Sequence, residues 1–421
     1  MQAYYSSGYR RFFRWICPKS GPEKCREFLK REGFIFNRVP EVPGAWVETG
    51  APGGLGASLA WYFGFIYIQD LSSMLPAILL DPAPGNVVLD MCAAPGGKSA
   101  QLSEMVGDDG LVIANDPSRD RLGILRANLE RLNVSNVVST CYAGQEMPQG
   151  IQFDCILVDA PCSGWGTVKK NPAVTRIWKK ENINPLVVLQ RRLLYKAALM
   201  LAPGGRLVYS TCTTNAQENQ EQVRWILSRS SLKPSSRTGD LLMQSGLPGL
   251  DSPGAGMLCM EGKQAGAQSF FMAALEKPLE TAGVQESIGL KPPVTWERVE
   301  PGDLVKNMPL NTWLYAFSDK VFLVPDAALP YVERGLRVKG IFAGRIKKPG
   351  FVPGPRLRVF LEEKNSHGYQ AREIQEVHAL VSGQSLEYCL QPEYKMLPFY
   401  WRGLPLGWLH HRKSRIFWSD K

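Results

Sequence analysis

The feature that most limits this chain's fold is a regular alternation of short apolar runs and longer amphipathic stretches between residues 87 and 228. Val87-Val88-Leu89-Asp90, Leu111-Val112-Ile113-Ala114, Val137 to Tyr142, Phe153 to Val158 and Arg206-Leu207-Val208-Tyr209 read as strands. Lys98 to Met105, Arg119 to Leu132, Pro185 to Met200 and Ala216 to Leu227 read as the helices that follow or separate them. Strands this apolar must be covered on both faces, so the pattern predicts an α/β fold with a doubly wound, mostly parallel sheet. Ser269 to Leu275 predicts a late strand closing the sheet, and the Ser-, Gly- and Pro-rich stretch 229–255 predicts a loop.

A chain of 421 residues is too long for one core of ordinary size. Three segments follow from composition. Residues 1–65 are basic and aromatic, with a short helix predicted over Glu23 to Glu32. Residues 66–280 hold the α/β pattern. Residues 281–421 have strand-like runs at Val321 to Val324 and Arg356 to Leu361 and carry 20 Lys and Arg against 14 Asp and Glu. Net charge is +10, which favours a polyanionic partner. No apolar run is long enough for a membrane span and no apolar leader is evident, so a cytoplasmic protein with no membrane partner is expected. Nine cysteines without C-x-x-C spacing and only four histidines argue against a disulfide framework and against a metal site. No dimerisation element is evident, so a monomer is expected.

Four features carry chemistry. Cys92-Ala93-Ala94-Pro95-Gly96-Gly97-Lys98 lies where the first strand meets the first helix, where small residues let a ligand approach the backbone and free N–H groups face it. Asp116, just past the second strand, is an acid placed to accept ribose hydroxyls, so together they point to an adenosine-type ligand. Asp159-Ala160-Pro161-Cys162 follows the fourth strand, and Ser210-Thr211-Cys212-Thr213 follows the fifth. Strands joined by one right-handed crossover usually neighbour each other, so the two cysteines should meet at the ligand-binding edge of the sheet.

With Tyr67-Ile68-Gln69-Asp70-Leu71-Ser72-Ser73-Met74-Leu75-Pro76, these segments resemble the RNA cytosine-C5 methyltransferase family of the Nop2/Sun and Fmu type, over roughly residues 65 to 276. Val338 to Arg345 and Gly403 to Trp408, before a basic tail, are similar to the ends of bacterial RsmF-type 16S ribosomal RNA methyltransferases. The resemblance implies a class I, Rossmann-like methyltransferase domain, a small N-terminal RNA-binding region and a β-rich, PUA-like RNA-binding C-terminal domain. It implies S-adenosyl-L-methionine as cofactor, held by Cys92, Ala93, Ala94, Pro95, Gly96, Gly97, Lys98, Asp116 and Asp159. It also implies Cys212 as nucleophile on cytosine C6, Cys162 as the residue assisting release, and Asp159 and Lys98 as contacts to the base. A protonated Asp159 could donate to N3. The implied substrate is single-stranded or flipped cytosine in ribosomal RNA. Transfer RNA and a non-catalytic role in ribosome assembly remain alternatives. Two positions depart from the family: Ala143 stands where members often carry an acid that contacts adenine, and Gln268-Ser269 replaces Asp-Gly before the late strand.

Overall fold

The computed structural model describes residues 10–17, 21–168, 173–177, 182–279, 297–299, 308–309, 311–347, 350–361, 368–388 and 396–419. The chain opens with β1 (Phe12–Trp15), α1 (Pro22–Arg31), β2 (Ile35–Arg38), β3 (Ala45–Gly50), α2 (Leu59–Tyr62) and β4 (Ile66–Ile68). These strands form an antiparallel sheet in the order β2-β3-β1-β4. Helix α3 (Leu71–Leu80), N-capped by Asp70, leads into the α/β segment.

That segment runs β5 (Val87–Asp90), α4 (Gly97–Val106), β6 (Leu111–Asn115), α5 (Arg119–Leu132), β7 (Val137–Thr140), β8 (Phe153–Asp159), α6 (Val174–Ile177), α7 (Asn184–Met200), β9 (Leu201–Thr211) and α8 (Gln220–Leu227). Then come β10 (Lys233–Pro234), α9 (Arg237–Ser245), β11 (Leu250–Gly254), β12 (Met257–Met260) and β13 (Phe270–Glu276). The parallel order is β7-β6-β5-β8-β9, extended antiparallel by β13, β12 and β11, with β10 also on β13. The expected doubly wound sheet is present. Its order turns at β5, with β6 on one side and β8 on the other, and the crevice beyond the carboxyl ends of these strands is the natural ligand edge.

The helices form where local chemistry favours them. Ser118 caps α5 by accepting from Arg121 N, and Asn133 ends it in the left-handed conformation. Helix α8 starts four residues later than expected, because Ala216 to Asn219 form a turn in which the Asn219 side chain accepts from Thr211 Oγ1 and donates to Thr213 O at the strand end.

Two expectations are corrected. Residues 229–255 are not a loop: they contain α9 and β11, and Leu241 and Leu242 of α9 pack against the core. Ser235 and Ser236 precede the helix and Gly246 ends it, while Gly239 and Ser245 are taken up within it. Arg356 to Leu361 is not a strand. The buried Arg358 guanidinium binds carbonyls of Gly64, Arg131 and Leu132, and also that of Phe63. This cation caps the last turn of α5, and the backbone around it is irregular because it serves that plug.

The C-terminal part is β-rich, as expected. It contains β14 (Glu297–Arg298), β15 (Thr312–Phe317), β16 (Lys320–Pro325), α10 (Leu329–Glu333), β17 (Ile341–Lys347) and β18 (Gly350–Pro353) in one sheet with its helix. A second sheet, ordered β19-β21-β22-β23-β20, holds β19 (Tyr369–Ala371), α11 (Ile374–Val381), β20 (Ser385–Glu387), β21 (Met396–Trp401), β22 (Leu404–Arg412) and β23 (Arg415–Phe417). Phe28, Phe63 and Phe65 from the start of the chain share one core with Phe399, Trp401 and Trp418 from its end. The Phe28 and Trp401 ring centroids are 5.0 Å apart, edge to face. Among the described residues no helix is long and apolar enough to cross a membrane.

Candidate active site

The turn after β5 is built from residues too small to block it. Gly96 has φ +106°, a conformation that side chains rarely adopt, and a Cβ on Gly97 would stand 2.5 Å from the Tyr67 ring. The turn is held from outside. Arg121 donates to Ala94 O (2.8 Å), Asn128 to Pro95 O (2.9 Å) and the buried Arg14 to Gly97 O (3.1 Å). Cys92 lines this turn, and burial pushes its thiol up, away from the thiolate form.

Asp116, just beyond β6, is buried. Its Oδ1 accepts from Ser118 N (3.0 Å), and its Oδ2 pairs with the half-exposed Arg121 guanidinium (3.1 Å). Asn115 donates to Met91 O and Tyr142 O, both at 3.0 Å, and so joins the ends of β5, β6 and β7. Half-buried Ala143 follows Tyr142 on this rim and begins a single helical turn.

A residue that sequence reasoning did not single out also faces the turn. Asp90 ends β5 fully buried. One oxygen accepts from Ser99 Oγ (2.7 Å), and the other has no hydrogen-bond partner. Burial raises its pKa to about 7. The signal was present, since an acid closing an apolar strand just before a glycine turn has few structural reasons to be there.

On the other side of β5, Asp159 ends β8 directly opposite Ser210 of β9. Lys98 Nζ donates to Asp159 Oδ2 and Ser210 Oγ to Oδ1, both at 2.7 Å. Burial opposes the Lys98 charge, but the Asp159 carboxylate outweighs it and holds the ammonium pKa above its usual value. Three residues past Asp159, Cys162 Sγ lies 3.3 Å from Cys212 Sγ. A hydrogen bond from the Cys162 thiol lowers the Cys212 pKa, against burial and the Asp159 charge, with Lys98 adding to the effect. The same contact raises Cys162 well above the ordinary range. The contact therefore favours the thiolate form on Cys212 and the thiol form on Cys162.

The structure brings Lys98, Asp159, Cys162 and Cys212 into one cluster. Cys92 to Gly97 and Asp116 lie along the adjoining edge, across β5 and β6. Two thiols in contact, a cation and a carboxylate beside a small-residue turn are the groups that covalent group transfer to a polar planar ring would use.

The sequence pattern described as 16S rRNA methyltransferase RsmB/F matches residues 77–276. A protein named ribosomal RNA small subunit methyltransferase F from Cronobacter sakazakii is 38% identical over 263 residues, covering 60% of this chain and 53% of that protein. The protein of the same name from Pectobacterium atrosepticum is 44% identical over 177 residues, covering 41% and 36%. The chain thus spans about half the length, or less, of these curated relatives. A solved methyltransferase homolog protein from Pyrococcus horikoshii is 31% identical, covering 65% of this chain and 88% of that one, with a TM-score of 0.53. The parallel sheet, the cysteine-bearing strand ends and these similarities agree: the chain belongs among the methyltransferases, and its residues 77–276 match the 16S rRNA methyltransferase RsmB/F family.

Proposed function

We propose that this chain is an RNA (cytosine-C5)-methyltransferase acting on ribosomal RNA, with S-adenosylmethionine as methyl donor. The observation that carries this reading is the pair of thiols 3.3 Å apart beside the Lys98–Asp159 pair. The relatives' names support small-subunit ribosomal RNA as the substrate.

The residues along the first turn fit the donor. Gly96 and Gly97 leave the backbone open, and Asp90 presents a buried oxygen with no partner. Cys92, Ala93, Ala94, Pro95, Gly96, Gly97 and Lys98 would line the site. Asp116 would take the ribose hydroxyls by displacing the half-exposed Arg121. Asp159 would reach both donor and base. Bound S-adenosylmethionine would supply an electrophilic methyl group. Cytosine C5 holds too little electron density to take it unaided.

Cys212 corrects that. Its thiolate forms a bond to C6, and the electron pair of the C5–C6 double bond moves into the ring, making C5 nucleophilic. Lys98 stabilises the charge that develops on the ring, while Asp159 accepts from the exocyclic amino group and orients the base. Once C5 carries the methyl group, its proton passes to a base that Cys162 supplies or supports, the C5–H electron pair restores the C5–C6 double bond, and Cys212 leaves C6 as a thiolate. Cys162, in contact with Cys212, assists this release. The base must leave its stack to reach the cluster, so single-stranded or flipped cytosine is the substrate. Within this reading, residues 66–280 are the methyltransferase domain, and residues 1–65 and the PUA-like 281–421 bind RNA. A cytoplasmic, monomeric enzyme goes with it.

The test uses full-chain variants and 16S ribosomal RNA. Cys212→Ala should abolish methylation. Cys162→Ala should accumulate a covalent RNA–protein adduct that migrates slowly on a denaturing gel. Normal methylation by both variants sinks the two-thiol mechanism. Bisulfite sequencing of RNA from cells lacking the gene should reveal one lost 5-methylcytosine, and a loss in transfer RNA would redirect the substrate assignment.

A further inference from the structure

Glu218 has no solvent exposure, yet it lies directly behind the two thiols. A buried carboxylate persists only when its oxygens are bonded. Here Oε1 accepts from Ser163 N (2.8 Å) and Gln190 Nε2 (3.1 Å), and Oε2 accepts from Ser163 Oγ (2.6 Å) and Asn215 Nδ2 (3.2 Å). Ser163 directly follows Cys162. Gln190 also donates to Pro161 O (2.9 Å), on the other side of Cys162. Glu218 and its bound glutamine therefore grip the Cys162 loop from both sides.

The same group reaches the second loop. Ser163 has one hydroxyl proton. Since Glu218 receives that proton, the 2.8 Å contact between Ser163 Oγ and Thr213 Oγ1 is donated by Thr213, the residue after Cys212. Asn219, adjacent to Glu218, donates to Thr213 O (2.9 Å). Tyr209 of β9 donates from its hydroxyl to Glu218 O (2.6 Å) and anchors the carboxylate's own backbone.

We propose that Glu218 is a positioning residue that draws the Cys162 and Cys212 loops together through Ser163 and Thr213, and so sets the 3.3 Å separation of the two thiols. Its importance for methylation rests on the reading of Cys212 and Cys162 given above. The separation itself is a property of the free protein. A wider gap removes the hydrogen bond from Cys162 and returns Cys212 toward an ordinary thiol.

The test needs no RNA. Wild type, Glu218→Gln and Ser163→Ala are compared as full-length folded proteins. Glu218→Gln keeps the volume but turns one acceptor into a donor facing Ser163 or Asn215. Ser163→Ala removes the bridge with less disturbance and serves if the first variant does not fold. Iodoacetamide labelling of Cys212 is followed across pH by peptide mass. The midpoint should rise by about one pH unit in the variants, a roughly tenfold slower reaction near pH 7. In a second measurement diamide takes two electrons and two protons from the pair, giving a Cys162–Cys212 disulfide and the hydrazine. The variants should form it about tenfold more slowly, as expected when the two sulfurs no longer meet at bonding geometry. Variants that melt at lower temperature but keep the wild-type labelling midpoint and disulfide rate would reduce Glu218 to a fold-stabilising residue. Absence of an adduct in Cys162→Ala would overturn the catalytic reading and leave these thiol measurements intact.

Discussion

Both oxygens of Asp159 accept hydrogen bonds, from Lys98 and Ser210, and that limits what this residue can do to a base. The sequence allowed a protonated Asp159 that donates to N3. The geometry instead suits an acceptor for the exocyclic amino group, with Lys98 as the nearby donor. Lys98→Met should lower kcat by about 10²–10³-fold, the range for removing one preorganised donor from a developing charge, and single-turnover kinetics would measure it. The lowered Cys212 pKa fixes the sign of the pH dependence: thiolate accumulates as pH rises, with its midpoint below the ordinary thiol value of 9.0. A pH–rate profile should show a rising limb centred below that value, and a limb at or above it contradicts the thiol-to-thiolate contact. Gly97→Ala would press a Cβ against the Tyr67 ring. Relief of such overpacking costs about 1–3 kcal/mol, and weaker S-adenosylmethionine binding by calorimetry is the expected result.

At the scale of elements, those whose signals lie within a few residues were legible. Helix α5 matches the expected Arg119 to Leu132, because Ser118 and Asn133 mark its ends in sequence. Helix α9 is not legible in the sequence, because its Ser and Gly residues resemble a loop and its apolar face is recognised only against the core. Helix α2 depends on a residue outside it: Glu32, just past α1, accepts from the N–H groups of Leu59 (2.7 Å) and Ala60 (3.2 Å). Burial raises the Glu32 pKa to about 7 from 4.5, despite those two bonds. Between those values the folded protein binds more protons at this site than the unfolded chain, so this residue's contribution to stability declines as pH rises from 4.5 to about 7. Glu32→Gln should be less dependent on pH across that window, which denaturant melts at pH 5 and pH 8 would show. A variant that keeps the wild-type slope assigns it to another group.

The whole molecule is tied together by contacts between its ends. Phe63 of the first segment packs on Phe399 and Trp418 of the last, and Arg358 plugs carbonyls of Phe63, Gly64, Arg131 and Leu132. The three segments read from composition are thus joined by a shared core. Phe399→Ala should cost about 3–5 kcal/mol, as for other buried aromatic truncations. It should shift a single cooperative unfolding transition seen by both far-ultraviolet and tryptophan signals. Two separated transitions would show that the C-terminal sheets melt independently.

The parallel sheet, the succession of strands and helices along the chain, and the strand ends that Cys162 and Cys212 follow are all legible in the amino-acid order. Hydrophobic period, turn residues and the crossover rule are short-range or topological, and they survive without coordinates. How Asp159 is bonded, which cysteine has the lowered pKa, and the place of Glu218 behind the pair emerge from the folded geometry alone. Those facts depend on distances between residues fifty or more apart in the chain, such as Ser163 to Glu218 and Lys98 to Asp159. Side-chain packing sets such distances, and no local pattern encodes them.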